Sequence, residues 1–196
     1  MHCFKLERVL KYLLQTNGTY LCYDSDGSDL VLPAYCDASF GPTSKSDTNL
    51  RSSYGWTFTL GGCPISWCAK RFDCTSLNVC EAEMMAIKET TAQAIHLQAL
   101  LTELGELQQA TTIHTDSKAA HDSLISENFS KRLKHVTIAR QWVREQLANG
   151  VIDVKHVRTH QQPADFFTKP LPAAAFKNCC KLLGLKTPSD QDQVKS

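Results

Sequence analysis

The sequence predicts an α/β fold: a mixed five-stranded sheet, first three strands antiparallel and later strands parallel, flanked by helices. Two observations carry that expectation. The β-rich runs "LVLPAYCDASF", "YGWTFTLGG" and "CPISWCAKRF" follow one another without an intervening helix, which suits an antiparallel meander. Beyond them, helix-period segments alternate with the short runs "ATTIHTD" and "VIDVKHVRT", which suits parallel addition beside the first strand. At 196 residues the chain can bury one real core and still carry extensions.

Taken in order, Phe4, Leu6, Val9, Leu10, Leu13 and Leu14 recur like one face of a helix. Asn17-Gly18 and Asp26-Gly27 then bracket a short strand. This leading segment, residues 1–30, reads as detached from the rest of the chain. The first run of the sheet loses its alternation at Asp37, and "GPTSKSDTNLRSS" is a polar loop. Gly61-Gly62 joins the next two runs as a hairpin. Val79, Met84, Ile87, Ala94, Leu97, Leu100 and Leu101 then mark a long helix, closed by Gly105. "SKAAHDSLIS" and "SKRLKHVTIARQWVREQLANG" are two further helices, and "QQPADFFTKPLP" with "AAFKNCCKLLGL" supplies terminal helical pieces. The expected organisation is a leading segment at 1–30, a main domain at 31–172, a terminal helix at 173–185 and a frayed tail at 186–196.

A formal charge of +1 excludes a wholesale polycation but not a local basic face for phosphates. The apolar runs are too short for a bilayer. "MHCFKLERVLKYLL" scatters charges through its length and offers no small-residue cleavage site, unlike a secretory signal. The nine cysteines are odd in number and form no C-x-x-C pair. Reduced thiols packed as small hydrophobes are therefore expected, in an intracellular, cytoplasmic protein that is not secreted.

Four acids fall where an acid is locally awkward. Asp37 interrupts an apolar strand. Glu83 sits beside Met84 and Met85, with Glu81 two residues away. Asp116 ends the fourth strand, and Asp165 lies in the first helical turn opened by Pro163. Each has a plain structural alternative. Asp116 with Ser117 could cap a helix, Asp165 could answer the helix dipole, and one of the two glutamates could be solvated. Together they suggest more. Parallel neighbouring strands present their C-terminal ends at the crevice where α/β proteins bind ligands, which puts Asp37 beside Asp116. Crowded carboxylates repel. A divalent cation removes that penalty, and hard oxygen ligands suit Mg²⁺ or Mn²⁺. Two such ions about 4 Å apart are the arrangement used for attack of water on a phosphodiester.

The strings "YCDASFG", "SSYGWTFTLGGCPISWCAKR", "CEAEMMAI", "HTDSKAA", "LKHVTIARQWVRE" and above all "QQPADFFTKPLP" resemble the ribonuclease H domain of copia-type LTR retrotransposon Pol polyproteins. The resemblance covers residues 32 to about 172, and "LERVLKYLLQTNGTYLCY" is similar to the end of the preceding reverse transcriptase portion (its thumb or connection). It implies a ribonuclease H-like fold and cleavage of the RNA strand of RNA–DNA hybrids during reverse transcription, with two Mg²⁺ or Mn²⁺ ions. It also implies the reverse transcriptase of the same polyprotein as a partner, and a virus-like particle as a further setting. The family's acidic quartet falls on Asp37, Glu83, Asp116 and Asp165, and "AEMMAI" aligns Glu83 rather than Glu81. His160 precedes the last aspartate by only five residues, closer than the histidine that cellular and retroviral enzymes carry, so it is either a proton-transfer group or a loop histidine.

For the substrate, Lys131, Arg132, Lys134, Arg140, Arg144, Lys155 and Arg158 form the most basic stretch, opposed by Glu145 and Asp153. Such a patch follows phosphates without reading sequence, unless it is only a solvated helix face. Ser39 and Asn78 adjoin the acids and could meet RNA 2′-hydroxyls. Trp56, Trp67 and Trp142 are expected in the core. The competing reading is a non-catalytic scaffold or nucleic-acid-binding remnant. A transposase or integrase is disfavoured by "ADFFTKPL".

Overall fold

The computed structural model describes residues 2–23, 31–41, 51–73, 75–126 and 136–187. Among them, β2 (Ala34–Ser39), β3 (Ser53–Leu60), β4 (Cys63–Arg71), β5 (Thr111–Thr115) and β6 (Ile152–His156) form one sheet in the order β4-β3-β2-β5-β6. The first three pair antiparallel, while β5 is parallel to both β2 and β6. This is the predicted mixed sheet. Gly61 and Gly62, at φ 57° and 74°, supply the left-handed pair that a tight hairpin turn requires.

Helix α2 (Val79–Glu103) lies over this sheet. Its start is capped by two side chains. The Asn78 side chain accepts from the Glu81 amide at 2.9 Å, and the Glu81 carboxylate accepts from the Leu77 amide at 2.7 Å. Glu83, Ile87, Thr90, Ala94, Leu97 and Leu101 make one buried stripe at helical spacing. Ile87, Ala94, Leu97 and Leu101 pack there with Ala34, Cys36, Phe58 and Ile113. Thr90 and Thr91 are fully buried and donate to the Ala86 and Ile87 carbonyls, so neither of these two hydroxyls is left unsatisfied. Helices α3 (Lys118–Ile125) and α4 (Thr137–Ala148) add Ala120, Leu124 and Val143 to the same core. No helix among the described residues is long and apolar enough to cross a membrane.

The leading segment is not detached. After α1 (His2–Gln15), the two-residue strand β1 (Tyr20–Leu21) pairs antiparallel with β7 (Leu185–Lys186). The Tyr23 hydroxyl donates to the Pro64 carbonyl at 2.6 Å, and the Tyr12 ring stands edge-on to Phe176 at 5.9 Å. The terminal helix, α6, spans Ala173–Leu182 and gives way to β7, so Leu185 leaves the expected helix and Lys186 the expected tail. A two-residue strand has no periodicity to read. Residues 188–196 lie outside the described residues. Trp56 is buried and Trp142 half-buried, but Trp67 faces outward on β4 at 55 % exposure, against the core expectation. Cys22, Cys36, Cys63, Cys68, Cys80, Cys179 and Cys180 are free thiols.

Candidate metal centre and active site

Two acids are placed directly by strand register. Tyr35 of β2 pairs with His114 of β5, and their rings stack at 4.7 Å. Two residues further along each strand come Asp37 and Asp116, on the same face by the alternation of side chains. Asp37 is buried within β2, while Asp116 is half-buried just past β5. Helix capping falls to Ser117, whose side chain accepts from the Ala120 amide at 3.3 Å, which leaves the Asp116 carboxylate out of that duty.

The third acid arrives on the short helix α5 (Asp165–Thr168), which packs on β2, β3 and β4. Asp37 faces Gly55 across the β2–β3 ladder, and Gly55 lets α5 settle there. A Cβ at that position would stand 2.4 Å from the Phe167 Cβ and 3.2 Å from the Thr168 methyl. Both atoms are anchored close to backbone and cannot swing away. Gly55→Ala is therefore expected to destabilise the fold by about 1–3 kcal/mol, read as an earlier denaturant midpoint.

Gln162 joins these pieces. Its fully buried amide donates to the Cys36 carbonyl at 2.9 Å and to the His114 carbonyl at 3.3 Å, and its carbonyl accepts from the Ala164 amide at 3.2 Å. One side chain thus ties β2, β5 and the turn before Asp165 at the level of the acids. Gln162→Leu keeps the volume but strands two carbonyls and an amide. The expected loss is about 2–4 kcal/mol in chemical unfolding.

The result is a cluster in which Asp37, Asp116 and Asp165 each offer a carboxylate oxygen, all within 4.8 Å of one another. Glu83, at the N-terminal end of the α2 stripe, stands outside that group but near enough to feel the charges of Asp37 and Asp116. It is 5 % exposed, and its Oε2 has no hydrogen-bond partner. Burial, then repulsion from Asp37 and Asp116, pushes the Glu83 carboxyl up to about 9. Burial likewise raises Asp37 to about 6, against the opposing pull of Lys169 and Thr168. Burial raises Asp165 as well, opposed by Lys169.

Thr168 and Lys169 were not singled out from sequence, although both stand in the "ADFFTKPL" string. The Thr168 hydroxyl donates to Asp37 Oδ2. Lys169 Nζ lies 2.9 Å from Asp165 Oδ1 and 3.6 Å from Asp37 Oδ2. Spacing alone did not show which side of the short helix faces the cluster.

The other expected residues divide. Exposed His160 sits on the 3₁₀ turn Thr159–Gln161 and lines a cleft of about 680 Å³ with Asp165, Asn178 and Cys179. Its backbone carbonyl accepts from the side-chain Nδ2 of Asn178 at 2.8 Å. Ser39 is half-buried at the end of β2, and Asn78 caps α2. Arg144 is half-buried and Arg158 exposed. Arg140 is corrected: it is 5 % exposed, and its guanidinium donates to the Ser123 and Ser126 carbonyls at 2.7 and 2.6 Å. It ties α4 to the C-terminal turn of α3 and is not a free phosphate ligand. Lys131, Arg132 and Lys134 lie outside the described residues.

Comparison with known proteins adds to this geometry. The chain is 34 % identical over 184 residues to the retrovirus-related Pol polyprotein from transposon TNT 1-94 of Nicotiana tabacum, covering 94 % of the chain and 14 % of that protein. It is 35 % identical over 188 residues to the Pol polyprotein from transposon RE2 of Arabidopsis thaliana, covering 94 % of the chain and 12 % of the relative. The chain therefore spans only a small part of these relatives. Among solved structures, LC11-RNase H1, isolated from compost, matches 70 % of this chain and 92 % of its own with a TM-score of 0.53 at 15 % identity. The foamy viral protease-reverse transcriptase in complex with RNA/DNA hybrid matches 76 % of this chain and 20 % of its own, with a TM-score of 0.52 at 14 % identity. At such identities these structures establish the fold. No protein-family model matches the chain.

Proposed function

The chain is a homologue of one segment of the retrovirus-related Pol polyproteins of transposons and has the ribonuclease H-like fold, and from that premise we propose that it is a divalent-metal-dependent endoribonuclease. Its substrate is the RNA strand of RNA–DNA hybrids made during reverse transcription. The observation that carries the reading is the gathering of Asp37, Asp116 and Asp165, near which lies a buried Glu83 with an unpartnered oxygen. A structural cluster would satisfy that atom.

The donor set fits Mg²⁺ or Mn²⁺: all four groups are hard carboxylates, and their mutual repulsion is what a cation relieves. Asp37, Glu83, Asp116 and Asp165 would hold two such ions. Held by these residues, such ions would supply charge stabilisation at the reacting phosphate and a more acidic attacking water. The protein's own part is positional. β2 and β5 hold two acids by register, Gln162 and Gly55 seat the helix bearing the third, Asp165, and α2 carries Glu83 on its buried stripe. His160, on the wall of the cleft beside Asp165, would move a proton to or from the departing product. Ser39 and Asn78 at the rim would meet RNA 2′-hydroxyls, and Arg144, Arg158, Lys131, Arg132 and Lys134 would follow the phosphates. The reverse transcriptase portion of the same polyprotein is the proposed partner, inside the cell or within a virus-like particle.

The test is a hybrid labelled separately on each strand, offered with Mg²⁺ or Mn²⁺ beside RNA and DNA duplexes. Shortening of the RNA strand of the hybrid, with the DNA strand intact, is expected. Hybrid that is bound but left whole in both metals would instead make the chain a nucleic-acid-binding scaffold.

A further inference from the structure

Resting on the reading of the carboxylates as a metal centre, we propose that Lys169 is a tethered counter-ion. It occupies the divalent cation's place among the carboxylates of the metal-free protein and leaves that place on loading. Its ammonium is shared between Asp165 at 2.9 Å and Asp37 at 3.6 Å, two of the three aspartates that converge within 4.8 Å. No other lysine or arginine is ion-paired to these aspartates among the described residues.

Three features suit it to leave. Its side chain is 37 % exposed, so the head has a direct path to water. The extended backbone at Lys169, φ −145° and ψ 150°, is the conformation that the following Pro170 favours, so the anchor can stay while the four-carbon stem swings. The neutralisation is also incomplete. One ammonium reaches Asp37 and Asp165, while Glu83 Oε2 stays unpartnered. A small cation that draws on more of the four carboxylates has the stronger electrostatic claim to the site. Lys169 would then hold the cluster together before loading and set the metal concentration at which loading occurs.

The experiment compares wild type with Lys169→Met by calorimetric Mg²⁺ and Mn²⁺ titration and by thermal unfolding with and without metal. The variant is expected to melt lower without metal, to bind metal about 10-fold more tightly or better, and to gain more in Tm on loading than wild type. Unchanged or weaker metal affinity, with equal Tm gains, would overturn the proposal and leave Lys169 a structural ion pair. Absence of metal binding in both proteins would overturn the metal centre itself. Should Lys169→Met not fold, the ¹⁵N resonance of the Lys169 ammonium in wild type gives the answer. Movement with loss of exchange protection on Mg²⁺ addition supports displacement, and an unmoved resonance overturns it.

Discussion

Asp116→Asn is expected to lower the rate of RNA-strand cleavage by about 10³-fold or more while leaving the fold and hybrid affinity close to wild type. The separation rests on what Asp116 does not do. Ser117 caps α3 in its stead, and the contact of Asp116 with His156 uses the backbone carbonyl, at 3.2 Å, which the substitution keeps. Asn preserves the shape but surrenders the charge that a cation needs. Gel-resolved time courses read the rate, fluorescence anisotropy the affinity, and circular dichroism the fold. Cleavage by Asp116→Asn at the wild-type rate would remove Asp116 from the site.

The second large effect has the opposite sign. Glu83→Gln is expected to stabilise the metal-free protein by about 1–3 kcal/mol and to abolish most of its stabilisation by Mg²⁺. A neutral amide in that buried place removes the cost of holding the carboxyl protonated above its ordinary range, a cost set by burial and by Asp37 and Asp116. The pH dependence comes from the same burial. Glu83 rises from 4.5 to about 9 and Asp37 from 3.8 to about 6, so the folded chain keeps protons that the unfolded chain has released. Well below pH 3.8, the lower of the two ordinary values, both states are protonated and these groups cost nothing. As pH rises towards 6 for Asp37, and on to 9 for Glu83, the metal-free fold loses stability. Saturating Mg²⁺ should flatten that slope, and Glu83→Gln should remove its upper part. Chemical unfolding across the range, with and without metal, reads both effects.

The fold was legible where periodicity is strong. The β2–β4 meander, the long α2 stripe and the later strand–helix alternation all come from patterning, and the structure reproduces their order. The convergence of Asp37 with Asp116 was legible too, since parallel register alone makes them neighbours. The choice between Glu81 and Glu83 becomes physical in the structure. Glu81 accepts from the Leu77 amide at the helix start, while Glu83 continues the stripe of Ile87 and Ala94 towards the cluster. What escaped were contacts without a local pattern. Gln162 reaches carbonyls 126 and 48 residues away, and Thr168 reaches Asp37 across 131. The β1–β7 tie joins two-residue strands from opposite ends of the chain. Arg140 misled because charge spacing on a helix does not say which face is buried.

The measurement closest to the central claim is cleavage of a hybrid carrying a single phosphorothioate at the scissile position, each diastereomer tested in Mg²⁺ and in Mn²⁺. A cation seated at Asp37, Glu83, Asp116 and Asp165 must touch a non-bridging oxygen of that phosphate to stabilise it. Sulfur at that oxygen weakens contact with hard Mg²⁺ more than with the softer Mn²⁺. One diastereomer should therefore stall in Mg²⁺ and recover in Mn²⁺, while the unmodified hybrid is cut in both. Equal cutting of both diastereomers in either metal, or cutting that persists in excess chelator, would contradict a metal centre at these carboxylates.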